Sequence, residues 1–407
     1  MTFLSRTMLL AAGAVFAASG AAWAQDTIVL GAAVSVTGKY STNGKNTKDG
    51  YDLAVKMIND KGGVKVGDKT YKLEVKYYDD ESTPARGTEL AERLIQQDGV
   101  KFMLGPYSSG LTKAIAPVTE KFQVPMVEAN GASRSLFTSG YKYLFAVLST
   151  SEQYLTSAIA LAAERAEAEG KKPSELKLAM AFENDPFSQD VRDGVLDDAK
   201  RFGMQIVIDD KLPKELNDMA ATLTKVKAVK PDILVVSGHA KGATTAVRQI
   251  AELQVDVPML AITHCDSAQV AENLGAAAEF TLCASQWAST LTYKDDLFGS
   301  AADYAKLFKQ TYDYEPPYQA AESSAAVQVF ADAFTRAGSL DPQAVRDAIA
   351  ATEIETFYGN IKFDETGKNI AKPMVLFQVL NGEYQVVAPT KWAAAKLVHP
   401  RPAWSSR

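Results

Sequence analysis

The chain has 407 residues with a formal net charge of −6, of which 47% are hydrophobic and 23% charged. That length exceeds what one hydrophobic core usually supports, so two domains are expected. Charges of both signs are interspersed and no basic block occurs, which argues against nucleic acid or an anionic membrane as partner.

The first residues read as an export signal. A polar stretch holding Arg6 precedes an apolar run from Met8 to Ala22, and Ala22, Trp23 and Ala24 form the small-x-small triplet of a cleavage site. A cleaved signal peptide over residues 1–24 places the mature protein in the periplasm. No later apolar run approaches the ~20 residues of a spanning helix. Cys265 and Cys283 then face an oxidising compartment, where they either pair as a disulfide or stay as two buried thiols.

From Thr27 onward, β-branched runs alternate with amphipathic helical stretches, the pattern of parallel sheets covered by helices. The first strand is Ile28 to Val34. A helix around Tyr51, Ala54, Val55 and Ile58 follows and stops at Gly62-Gly63. Leu73 to Tyr78 is the next strand. A helix after Pro84 stacks Leu90 on Leu94 and ends at Asp98-Gly99. Strand Val100 to Leu104, a helix to Phe122 and strand Val124 to Val127 complete one doubly wound unit. A second series begins near Ser149, with strands at Lys177 to Phe182, Gln205 to Ile208, Ile233 to Val236, Met259 to Ile262 and Phe280 to Ala284. Three helical stretches fill Leu297 to Ala351. Two strands, Met374 to Leu380 and Glu383 to Val387, flank the hairpin signal Asn381-Gly382. The tail after Pro389 offers little core.

Strand ends that meet helix starts gather anions in such sheets, because free backbone N–H groups and the helix dipole converge there. Three segments fit: Gly38 to Gly44, Tyr107-Ser108-Ser109-Gly110 and Asn130-Gly131-Ala132-Ser133. Their serines either cradle a carboxylate or simply cap helices. Tyr40, Phe187 and Trp287 sit at or beside strand-end loops, as walls of a small-molecule cleft or as lobe packing. Asp266 is a carboxylate that either meets a ligand ammonium or points to solvent. Enzyme signatures are missing: there is no G-x-S-x-G, H-E-x-x-H or G-x-G-x-x-G, and Gly38 to Lys45 has the wrong spacing for a phosphate loop. A metal site from His239, His264, Cys265 and Cys283 matches no standard spacing, so neither metal nor cofactor is expected.

Several segments together resemble the leucine/isoleucine/valine-binding proteins of branched-chain amino acid ABC importers. They are Ile28 to Thr37 with Gly38 and Gly44, Asn59 to Val64, Tyr78 to Ser82, Gly105 to Ser109 and Val124-Pro125. The resemblance implies a non-enzymatic solute-binding protein of α/β class, with two doubly wound, Rossmann-like lobes joined by a three-segment hinge (the type I periplasmic-binding fold). By that pattern lobe one is residues 26–147 plus 286–358, lobe two is 148–285 plus 359–388, and 389–407 is a C-terminal tail. It further implies a carboxylate held at Tyr107, Ser108 and Ser109 and at Asn130, Gly131, Ala132 and Ser133, and an ammonium met by Asp266. The family's aromatic positions fall at Phe187 and near His239, and Asn43 stands where the family has a tyrosine. The implied partners are a small amino acid or other carboxylate and the permease subunits of an importer, with the protein itself a monomer. Ser82 and Ser108 occupy the positions of a disulfide found in some members. Asn43 and His239 replace aromatic hydroxyls and change the pocket's shape and polarity, which leaves branched-chain specificity open, along with aromatic carboxylates or short amides as ligands and a sensing role.

Overall fold

The computed structural model describes residues 26–407, so the expected signal peptide over residues 1–24 lies outside the described residues. The first sheet comprises β1 (Thr27–Val34), β2 (Val64–Val66), β3 (Lys69–Asp79), β4 (Met103–Leu104), β5 (Met126–Glu128) and β6 (Leu144–Ala146). Its spatial order is β2-β3-β1-β4-β5-β6, parallel except for the β2–β3 hairpin. Leu30, Ala32, Ala33 and Val34 of β1 are buried, because a parallel strand is covered by helices on both faces. Helices Ser41–Asp60, Pro84–Gln96 and Ser109–Lys121 supply that cover.

The second sheet contains β7 (Lys177–Glu183), β8 (Gln205–Leu212), β9 (Ile233–Ser237), β10 (Met259–Thr263) and β11 (Leu282–Ser285). Two short ribbons follow, β12 (Lys294–Asp295) with β13 (Gly299–Ser300) and β14 (Glu353–Thr356) with β15 (Gly359–Lys362). The final hairpin, β16 (Val375–Leu380) with β17 (Glu383–Ala388), returns to the second sheet and adds its antiparallel edge on β11. The order there is β17-β16-β11-β10-β9-β7-β8.

The chain passes between the sheets after β6, after β11 and before β16, and hydrogen bonds tie these crossings together. Gln286 Oε1 accepts from the Ser149 backbone N–H at 3.1 Å, and Gln286 Nε2 donates to the Ser149 carbonyl at 2.8 Å. Ser149 Oγ donates to the Lys372 carbonyl at 2.7 Å, and Asn369 Nδ2 to the Val147 carbonyl at 2.7 Å.

The expected strands are present, with six short additions: β2, β6 and the two ribbons β12–β13 and β14–β15. β2 and β6 escape the sequence pattern because three residues are too few to show a period. The tail is more embedded than expected. Trp392 and Arg401 are buried, the Arg401 N–H donates to Pro258 O at 2.8 Å, and Trp404 Nε1 donates to Val255 O at 3.1 Å. Cys265 and Cys283 form a disulfide with Cα atoms 5.6 Å apart, since β10 and β11 are adjacent and Ile262 lies beside Cys283.

Candidate functional site

Strand order fixes where a solute can enter. In the first sheet the direction of winding reverses between β1 and β4, and in the second between β7 and β9. Loops leaving such neighbouring strands diverge to opposite faces and open a crevice at the strand C-termini. Tyr40 follows β1, Tyr107 follows β4, Phe187 follows β7 and His239 follows β9. These four aromatic rings meet: Tyr40 lies edge-on to Tyr107 at 5.4 Å and to His239 at 4.7 Å, and Phe187 is 5.7 Å from His239.

A narrow cavity of about 10 Å³, room for about one water, sits among them, so a solute is admitted only when the two sides part. Tyr107, Ser108, Ser109, Asn130, Tyr318 and Glu322 line it from the first-sheet side. Tyr154, Phe187, His239 and His264 close it from the other. The Tyr107 hydroxyl spans the two sides, pairing with His239 Nδ1 at 2.8 Å and His264 Nε2 at 3.0 Å. A phenol has one proton, so it donates to at most one imidazole and accepts N–H from the other.

Ser108 adopts φ +87° and caps helix Ser109–Lys121, accepting from Leu111 N at 3.3 Å, so capping and cavity lining coexist in one residue. Ser109 Oγ accepts from Ser133 N at 3.0 Å, which leaves its own proton directed elsewhere. The turn Asn130–Ser133 is held from beneath by Glu128. That carboxyl accepts from the backbone N–H groups of Asn130 and Gly131 at 2.5 and 2.6 Å and from Thr112 Oγ1 at 2.9 Å. Burial raises Glu128 to about 7 against these hydrogen bonds. Gly131 is required there, since a Cβ would come 2.3 Å from Thr112 Oγ1.

Of the residues singled out from sequence, Tyr107, Ser108, Ser109, Asn130, Phe187 and His239 converge on the cavity, with Tyr40 packed behind. Gly131, Ala132 and Ser133 shape the turn without lining it. Asn43 is buried in helix Ser41–Asp60, away from the lining. Trp287 and Asp266 line a separate groove. Trp287 donates to Phe357 O at 3.2 Å, and Asp266 accepts from Ser285 Oγ at 2.9 Å and from Ser267 N at 2.8 Å. Asp266 therefore sits outside the cavity in which it was expected to meet an ammonium. Its carboxyl is raised to about 6 by burial, against those hydrogen bonds.

Sequence reading missed four lining residues, Tyr154, His264, Tyr318 and Glu322, the second of which was weighed only as a metal ligand. Glu322 carried a visible signal: it is a lone carboxylate among Ala320, Ala321, Ser323 and Ser324, all buried. Its carboxyl accepts from Tyr358 OH at 3.1 Å, and burial pushes it well above the ordinary range. His264 adopts φ +62°, which turns its ring into the cavity, and burial holds it well below the ordinary histidine range.

Behind His239 lie two more buried acids. Asp185 caps helix Pro186–Phe202, its Oδ1 accepting from Phe187 N at 2.9 Å and Ser188 N at 3.2 Å. Burial raises Asp185, but His239 beside it and the capping N–H groups prevail and bring it to about 2. Glu183 accepts from Leu216 N at 3.0 Å, and burial lifts it to about 7.

No helix among the described residues is long and apolar enough to cross a membrane. The family model described as periplasmic binding protein matches residues 27–383. A Leu/Ile/Val-binding protein homolog of Brucella melitensis is 26% identical over 360 residues, covering 88% of this chain and 91% of that one. The leucine-, isoleucine-, valine-, threonine-, and alanine-binding protein of Pseudomonas aeruginosa is 24% identical over 359 residues, covering 88% and 91%. Among solved structures, the branched-chain amino acid transporter substrate binding protein of Streptococcus pneumoniae, in complex with isoleucine, aligns with TM-score 0.75 at 23% identity, covering 92% of this chain and 100% of that one. A solute binding protein of an ABC transporter from R. palustris, in complex with benzoate, aligns with TM-score 0.74 at 18% identity, covering 92% and 98%. The chain belongs to the periplasmic binding protein family.

Proposed function

We propose that this protein is the extracytoplasmic solute-binding component of an ABC importer, holding an amino acid or related small carboxylate between its lobes and passing it unchanged to a permease. The observation that carries this reading is the cavity itself. Helix Ser109–Lys121 opens onto it through Ser108 and Ser109, and aromatic rings from both sheets seal it. Free N–H groups and the helix dipole at that start favour a carboxylate, and the Ser109 hydroxyl adds a donor. A solute touching both sides favours the closed arrangement by its differential affinity, which is how capture becomes a signal to a membrane partner.

Glu322 is the group suited to an α-ammonium. A cation beside it would offset the cost of burying its charge and draw off its proton. Without an amine, burial favours the neutral Glu322 carboxyl, which can donate a hydrogen bond, and this favours a second reading in which the solute is an aromatic acid lacking an amine. Calorimetric titration separates the two. Under the first reading phenylalanine and leucine bind at least tenfold tighter than 3-phenylpropionate and 4-methylvalerate, and Glu322→Gln erases the difference. Tighter binding of the deaminated acids by the wild type would establish the second reading instead.

A further inference from the structure

Glu183, Asp185 and His239 place one ligand atom each within 4.8 Å of one another, with His239 Nε2 directed to Asp185 while its Nδ1 meets Tyr107. All three side chains are more than nine-tenths buried. Each has one polar atom with no hydrogen-bond partner: Glu183 Oε2, Asp185 Oδ2 and His239 Nε2. The other atom of each is already engaged. Glu183 Oε1 takes Leu216 N, Asp185 Oδ1 caps its helix, and His239 Nδ1 meets Tyr107. The nearest internal pairing, His239 Nε2 to Asp185 Oδ1 at 3.5 Å, is too long for a good hydrogen bond. Two glycines make room for the acid: a Cβ on Gly238 or Gly242 would lie 3.1 Å from the Glu183 carboxyl group. Unpaired buried polar atoms are costly, and one on each of three clustered side chains calls for a shared cation.

We propose that Glu183, Asp185 and His239 form a binding site for a divalent transition cation of the zinc class. One imidazole nitrogen with two carboxylate oxygens suits such an ion, and two carboxylates neutralise its charge. Tetrahedral ligands at ~2.1 Å from a metal stand about 3.4 Å apart, so the three atoms draw inward on binding. The ion also has a consequence across the cleft. With Nε2 on the metal, the remaining imidazole proton sits on Nδ1 and donates to the Tyr107 oxygen, and the Tyr107 proton then goes to His264 Nε2. A cation in one lobe thereby fixes the donor order of the contact to the other. This site rests on groups behind the cleft wall and stands whether or not the solute is an amino acid.

The test uses the mature protein stripped with chelator and titrated with ZnCl₂ in the absence of solute. Calorimetry should show one equivalent bound at micromolar Kd or tighter, weakened at least tenfold by Glu183→Gln. Histidine ring nitrogen NMR gives a readout that does not depend on any variant folding, because the chain has only three histidines. Zinc should shift His239 Nε2 while Nδ1 keeps its proton. No saturable binding at 1 mM zinc, binding that leaves the His239 signals unmoved, or unchanged affinity in folded Glu183→Gln protein would each overturn the proposal.

Discussion

Lys372 lies in the third crossing, its ammonium against the Gln286 carbonyl and 4.3 Å from the centre of the Tyr358 ring. Burial lowers it from 10.5 to about 7, with Glu322 pulling the other way. The unfolded chain keeps this proton up to the ordinary lysine range, whereas the folded protein gives it up above about 7. Between those values the unfolded state binds more protons, so the group makes stability rise with pH, by up to about 1.4 kcal/mol per unit. Lys372→Met should flatten that rise and stabilise the protein near pH 7, as measured by urea unfolding from pH 7 to 10. Parallel pH profiles for the two proteins would show that the lysine is ordinary in the fold. Tyr107, Glu322 and His264 belong to the same scale. Each acquires its chemistry from burial beside groups far away along the chain.

Elements explain why some residues were legible and others not. Strands such as Ile233 to Val236 and Met259 to Ile262 declare themselves by continuous β-branched or apolar runs bounded by turns, and the loops at their ends follow. Ser108 and Ser109 were therefore visible, as was Phe187. Tyr318 was not, because it opens a helix after Pro316-Pro317 and reaches the cavity only through the packing of helix Tyr318–Ala337 on helix Ser41–Asp60. That crossing depends on Gly50, where a Cβ would come 2.2 Å from the Ala320 carbonyl oxygen, and Ser324 Oγ donates to Gly50 O at 2.6 Å. Gly50→Ala should cost about 1–3 kcal/mol by overpacking. Gly110→Ala, whose Cβ meets nothing closer than 3.9 Å, should be neutral or stabilising. Chemical denaturation of both variants checks the contrast, and equal effects would mean that the helices can separate at little cost. The misplacement of Asp266 has a similar origin. Proximity to a strand end locates a residue, but the turn at Ser267 and the neighbouring Ser285 decide where its side chain goes.

At the scale of the molecule, two sheets of related winding face each other across crossings stitched by Gln286, Ser149 and Asn369. Alternation of strands and helices made this architecture readable from the sequence. The cavity was only half readable, because one wall is assembled from helix Tyr318–Ala337, more than two hundred residues after the Tyr107 loop. The account stands on a carboxylate held at the start of helix Ser109–Lys121 between the two sides. Calorimetric titration of wild-type and Ser109→Leu protein with leucine, phenylalanine, benzoate and their neutral primary amides tests it most directly. The account predicts 1:1 binding of at least one carboxylate, at least tenfold weaker binding of its amide, and loss of binding in Ser109→Leu protein that still melts cooperatively. Silence across all the carboxylates, or equal affinity in the wild type and Ser109→Leu, would contradict it.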